Sequence, residues 1–196
     1  MNRRSSKCVS KAKILRVALD LFSLGGYSGT KMVDIAQRAG ISVGALYLRY
    51  KNKEELCLEL IKEQTQDFCG LTKSMADEEP IKALKTFIAL NLQYAFRKRQ
   101  LISVFIREHK LPFIQPLRKN FFKTQHGIIK DILTAGVKKR AFRTMEISDT
   151  ASMIFACIRG AVLLKLVFGI GNIKVMSNSL FKLIINGIRS HPIKDA

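Results

Sequence analysis

Between Lys31 and Tyr50, apolar residues recur at helical spacing in two short stretches, with only Gly40, Ile41 and Ser42 between them. Met32, Ile35, Ala36 and Ala39 fall on one side of the first stretch, and Gly40 breaks it. Ser42 then stands where a side-chain oxygen can accept from the free amides of a second helix, Val43–Arg49. Ile41, Val43 and Ala45 alternate as a strand would, but Gly44 and the flanking caps favour helix. Two short helices meeting at a glycine turn form a helix-turn-helix.

The helical period continues on both sides. Lys11–Leu24 places Ile14, Val17, Ala18, Leu21 and Phe22 on one face, and Gly25 and Gly26 close it. Thr30 is expected to cap the helix Lys31–Ala39, and Asn52 with Glu55 makes a near capping box for a fourth helix. Pro80 suits the first turn of a helix carrying Leu84, Ile88, Leu92 and Ala95. Pro112 stops Leu101–Lys110, and Pro116 lies near the start of a helix striped by Phe122, His126, Ile129, Leu133 and Val137. Thr150–Phe168 is apolar nearly all round, and Val175–Ile188 is the last helix. An all-α chain is predicted: a basic N-terminal arm (1–9), a three-helix domain with the helix-turn-helix (10–60, motif 31–50) and a larger helical C-terminal domain (61–196).

Lysine and arginine number 34 against 15 acidic residues, a net charge of +19, which points to a polyanionic partner such as double-stranded DNA. The excess is spread out, and the stretch 95–143 alone holds 13 basic and 2 acidic side chains. The longest run without a charge, Thr86–Phe96, has eleven residues, whereas a membrane span needs about 20. Lys11, Lys13, Arg16 and Asp20 interrupt any secretory signal, so a cytoplasmic protein with no membrane partner is expected. Cys8, Cys57, Cys69 and Cys157 lack metal-like spacing, and neither a metal nor a cofactor is expected. No GxSxG, HExxH or Walker loop occurs, and the carboxylates cluster as Glu54-Glu55 and Asp77-Glu78-Glu79, as at helix starts. An enzyme is not expected.

A helix as short as Val43–Arg49 fits the major groove, about 12 Å wide. Val43, Gly44 and Ala45 are small enough to let the backbone approach base edges. Arg49 can fork onto guanine O6 and N7, and Ala45 or Leu48 can meet a thymine methyl. Thr30, Ser42, Tyr47 and Lys53 lie at helix starts or at the rim, where hydroxyls, amides and an ammonium can hold phosphates. A basic helical module that binds nucleic acid without an effector is the alternative. The basic arm (Arg3, Arg4, Lys7) could add minor-groove contacts.

The stretch KMVDIAQRAGISVGALYLRY followed by KNKEEL, with ILRVALDLFSLGGYSGT upstream, resembles the TetR family of bacterial transcriptional repressors over roughly residues 10–60. Further on, GVKKRAFR and the helix containing Arg159 and Gly160 resemble the family's C-terminal half more weakly. The resemblance implies that Thr30, Tyr47 and Lys53 contact phosphates, while Ser42, Val43, Ala45, Leu48 and Arg49 face the groove. Arg49 stands where the family often has His or Tyr, and Tyr50 where it often has Phe.

A helix that is apolar all round needs cover on every side. Ile154, Ile158 and Ala161 are expected to face the chain's own core, and Met153, Cys157, Gly160 and Leu164 a second subunit, with Gly160 and Ala161 allowing close approach. Leu180, Leu183, Ile184 and Gly187 would complete a four-helix homodimer interface, and dimerisation through the last two long helices is what the resemblance implies. Phe68, Phe87, Asn91, Tyr94, Phe105, Phe122 and Met153 are candidate lining for a small-molecule effector. His109, His126 and Arg159 are the polar candidates. Arg159 needs a partner if buried: Asp149 or Glu146 locally, an acid of the other subunit, or an anionic ligand. A homodimeric repressor released from a palindromic operator by an apolar or amphipathic effector is therefore expected.

Overall fold

The computed structural model describes residues 9–190 apart from 74, 76, 77 and 109, with the side chains of 67, 69, 71 and 73 also excepted. The expectations for Arg3, Arg4, Lys7 and His109 fall outside the described residues. Nine α-helices and no strand form among those described: α1 (Lys11–Gly29), α2 (Met32–Ala39), α3 (Val43–Arg49), α4 (Lys53–Lys73), α5 (Pro80–Arg97), α6 (Arg99–Arg107), α7 (Gln115–Lys138), α8 (Ile147–Phe168) and α9 (Ile173–Ile188). Contacts divide the chain into two units, residues 1–65 with 100–115, and residues 66–99 with 116–196. The division falls inside α4, and α6 groups with the first unit although 61–196 reads as one domain in the sequence.

In the first unit, Ser10 Oγ accepts from the Lys13 amide and starts α1, which buries Ile14, Leu15, Val17, Ala18 and Phe22. Helical geometry breaks at Gly26, where φ is +78°, and Gly40 closes α2 at φ +77°; a side chain is strained in either conformation. Thr30 does not cap α2. It ends the preceding turn, where its hydroxyl donates to Gly26 O at 2.8 Å, and the α2 start is held instead by the Lys31 amide donating to Asp34 Oδ2 at 3.1 Å. α2 buries Met32, Ile35, Ala36 and Ala39 and packs on α1 and α3. Asn52 Oδ1 accepts from the Glu55 amide, and Glu55 returns to the Lys51 amide, one residue earlier than a regular capping box.

The second unit is organised around α5, which packs on α8 and α9. Pro80 occupies the first turn of α5, and Ala83, Leu84, Phe87, Ile88, Asn91, Leu92, Tyr94 and Ala95 are buried along it. α7 turns inward Gln125, Ile129, Ile132, Leu133 and Gly136. The expected stripe is therefore rotated by about a residue, leaving Phe122 exposed and His126 half-buried. Gly136 is where Phe142 rests: a β-carbon there would lie 2.0 Å from the Phe142 ring. By length and composition α8 is apolar enough to cross a bilayer. In this fold its inner row, Ala151, Ile154, Ile158 and Val162, is buried instead.

Candidate functional site

α3 is anchored by one side chain and offers the others outward. Ser42 Oγ accepts from the Ala45 amide at 3.1 Å, fixing the helix start, and Leu46 is fully buried. Val43 and Tyr47 are exposed, Leu48 is 90% exposed, and Ser42, Gly44 and Arg49 also face solvent, with Ala45 half-buried. A helix with one buried leucine and a run of uncovered apolar and aromatic residues presents a contact surface. Arg49 Nη1 donates to Val9 O at 2.8 Å, so the guanidinium is braced against the chain leading into α1.

Two residues expected at the phosphate rim are used by the fold. Thr30 is buried and its hydroxyl is spent on Gly26 O, so it offers no hydroxyl to a phosphate. Lys53 Nζ donates to Tyr27 O at 2.6 Å and Thr30 O at 2.8 Å and sits 4.3 Å from the centre of the Tyr27 ring. These bonds satisfy carbonyls at the end of α1 and occupy two of the three ammonium donors. Burial pushes the Tyr27 phenol up to about 12, and its amide donates to Glu108 Oε1 at 2.9 Å.

The second unit holds a chain of polar side chains from four helices. Arg159 Nη2 donates to Asn91 Oδ1 at 2.9 Å. Asn91 Nδ2 reaches Gln125 Oε1 at 3.5 Å, Gln125 Nε2 reaches Thr72 Oγ1 at 3.4 Å, and Thr72 Oγ1 donates to Phe68 O at 3.1 Å. Asn91, Gln125 and Thr72 are buried. Phe68 stacks on Tyr94 at 4.2 Å and on Phe121 at 6.0 Å, while Phe121 and Phe155 lie 5.6 and 5.1 Å from the Arg159 guanidinium. Arg159 Nε is buried without a hydrogen-bond partner. Among the described residues no carboxylate pairs with Arg159, Asp149 and Glu146 included. Burial lowers the guanidinium to about 10, so it stays charged at neutral pH.

Of the expected lining, Phe68, Phe87, Asn91 and Tyr94 are buried in this interior, and half-buried Arg159 is bonded to it through Asn91. Met153, 66% exposed, and Phe122 do not belong to it. Phe122 packs on the surface against Phe155 and His126, and His126 Nε2 is engaged by Ser148 O and Ser152 Oγ, both at 3.1 Å. Phe105 lies on α6, in the first unit. Sequence reasoning missed Gln125, Thr72, Phe121 and Phe155. The available signal was Gln125 itself, in register with Ile129, Ile132 and Gly136 on one face of α7.

A third surface lies on α8 and α9. Met153, Cys157, Gly160 and Leu164 are exposed along one side of α8, and Leu183, 71% exposed, and Gly187 along α9. Ala161 and Leu180 are half-buried. Ile184 is buried in the chain's own core and does not belong to this outer face.

The family model described as "Bacterial regulatory proteins, tetR family" matches residues 14–60. An HTH-type transcriptional regulator of Bacillus subtilis (strain 168), YerO, is 27% identical over 117 residues, covering 58% of this chain and 40% of the relative's length. The fatty acid metabolism regulator protein of the same organism is 22% identical over 185 residues, covering 91% of this chain and 95% of the relative. The crystal structure of the transcriptional regulator FadR from Bacillus subtilis in complex with stearoyl-CoA has a TM-score of 0.79 at 23% identity, covering 92% of this chain and all of that one. At such identity the structural likeness establishes the fold.

Proposed function

Residues 14–60 make this chain a member of the TetR family of bacterial regulatory proteins, and on that premise we propose that it is a homodimeric, effector-responsive transcriptional repressor acting in the cytoplasm. Residues 10–60 read the operator, and residues 61–196 carry dimerisation and effector binding, with α6 packed into the first unit. The observation that carries the reading is α3: pinned by Leu46, it turns Val43, Tyr47, Leu48 and Arg49 outward. In the major groove Val43, Leu48 and Arg49 meet base edges, Arg49 forking onto a guanine, while Ser42, Tyr47 and the remaining donor of Lys53 hold the phosphates. The exposed row of α8 with Leu183 and Gly187 of α9 faces the second copy, which sets two reading helices on a palindromic site with half-sites about 34 Å apart, or a multiple of that.

The Bacillus subtilis relatives, by name a fatty acid regulator and a stearoyl-CoA complex, support an amphipathic effector held in the second unit. An effector that favours one conformation over another changes operator affinity through a coupling of about 1–3 kcal/mol, roughly 5–150-fold.

The test is selection from a random pool of duplexes by the purified chain, followed by footprinting on the selected sequence. A symmetric protected site with two half-sites is expected. Enrichment of no sequence, with protection that follows total DNA alone, would leave a nonspecific basic module instead.

A further inference from the structure

We infer that the interior of the second unit takes the carboxylate of an apolar acid, recognised by Arg159. This deepens the effector reading above, rests on it, and names the effector's chemistry.

Arg159 carries five N–H donors in a planar fork. Nη2 is bonded to Asn91 Oδ1 at 2.9 Å, whereas Nε is buried with no partner. Its flanking groups are the Phe121 and Phe155 rings, which attract a cation only partly. Arg159 is half-buried with its Nε fully so; a guanidinium withdrawn from water without a counter-charge is costly to keep, and this one remains a full cation at neutral pH.

Among the described residues no neighbour supplies the missing charge. Each donor in the chain points away from Arg159: Asn91 to Gln125, Gln125 to Thr72, and Thr72 to Phe68 O. All three side chains are neutral; Asn91 Nδ2 also donates to Phe87 O at 3.0 Å, and Thr72 Oγ1 to Phe68 O at 3.1 Å. A phosphate dianion would need several further donors. A single carboxylate needs only the Nε side of the fork, for which arginine is the matched partner. The rings packed nearby, Phe68, Tyr94, Phe121 and Phe155, are apolar neighbours for the acid's chain. An alcohol or a thioester carbonyl brings an oxygen but no charge.

The full chain is titrated calorimetrically, without DNA, with straight-chain carboxylates of roughly eight to sixteen carbons, kept below micelle-forming concentrations, with the matching alcohols and with the matching acyl-CoA thioesters. We expect at least one carboxylate to bind about 10- to 150-fold more tightly than its alcohol, the range for a hydrogen bond to a charged group. Arg159→Met, with folding checked by circular dichroism and melting temperature, should abolish the preference for the acid and weaken the acid by far more than the alcohol. Arg159→Lys keeps the charge without the fork and should fall between; it also carries the test if the methionine variant does not fold. The proposal is overturned if no carboxylate binds, if acid and alcohol bind alike, if the thioester binds more tightly than the free acid, or if both variants bind the acid as the parent does. Because no operator is present, any of these outcomes leaves the DNA-binding reading intact, and failed duplex selection leaves the calorimetry interpretable.

Discussion

The helix ends around α2 and α3 are fixed by short-range devices, and the polar interior of the second unit by long-range ones. Around α2 and α3 the decisive contacts span few residues: Ser42 to Ala45, Lys31 to Asp34, Asn52 to Glu55. In the second unit the decisive polar contacts join distant positions, with Arg159 on Asn91 and Gln125 near both Asn91 and Thr72. The first arrangement spreads stability over many small terms and leaves one helix face free. The second concentrates it in tight or buried contacts, with Arg159 Nε buried and without a hydrogen-bond partner.

The largest effect is expected from Gly136→Ala, at a tight contact only six residues long in the second unit. The new β-carbon would lie 2.0 Å from the Phe142 ring, and a buried ring cannot yield cheaply, so a loss of about 3 kcal/mol or more is expected in denaturant unfolding. An unchanged midpoint would mean that the α7 end is not packed as described. Next comes Lys53→Ala, which strips Tyr27 O and Thr30 O of their charged donor. We expect about 2 kcal/mol of lost stability, reported by hydrogen exchange in α1. If the variant instead kept full stability and bound all DNA more weakly, Lys53 would be a phosphate contact first.

The same contrast explains what could be read from the chain in advance. Gly40, Ser42 and the Asn52–Glu55 pair announce helix ends because each acts on its own neighbours. Thr30 misled because a hydroxyl before a helix can equally bond back to the preceding turn, as it does to Gly26 O. On α8 the inner row Ile154 and Ile158 separates from the outer row Met153 and Cys157 by spacing alone. α7 resisted. Phe122, His126, Ile129 and Leu133 share a helical spacing, and so do Gln125, Ile129, Ile132 and Gly136. Only partners far away in sequence, Asn91 and Thr72, make burial of Gln125 tolerable. Buried polar chains are invisible to hydrophobic periodicity.

Two smaller effects refine the picture of the first unit. Ser42→Ala removes the acceptor at the start of α3 and should cost about 1 kcal/mol of stability, read from a thermal melt; no change would show that the cap is idle. The Lys11 contacts with Glu59 and Glu63 are weaker still, being exposed. Hydrogen bonding to Lys11 holds the Glu59 carboxyl below its usual range. Its contribution is therefore present above the unfolded value of about 4.3 and lost as pH falls through the folded value. A slight downward drift of the melting temperature on acidification, reduced by added salt and absent in Glu59→Gln, is expected; an equal drift in that variant would assign it elsewhere.

The outward face of α3 is tested most directly at Leu48, whose 90% exposure makes it replaceable without structural cost. Affinity of Leu48→Glu for the selected duplex should fall by about 100-fold through repulsion from the phosphates, with the melting temperature unchanged. A variant that binds that duplex as tightly as the parent would contradict the placement of this helix in the groove.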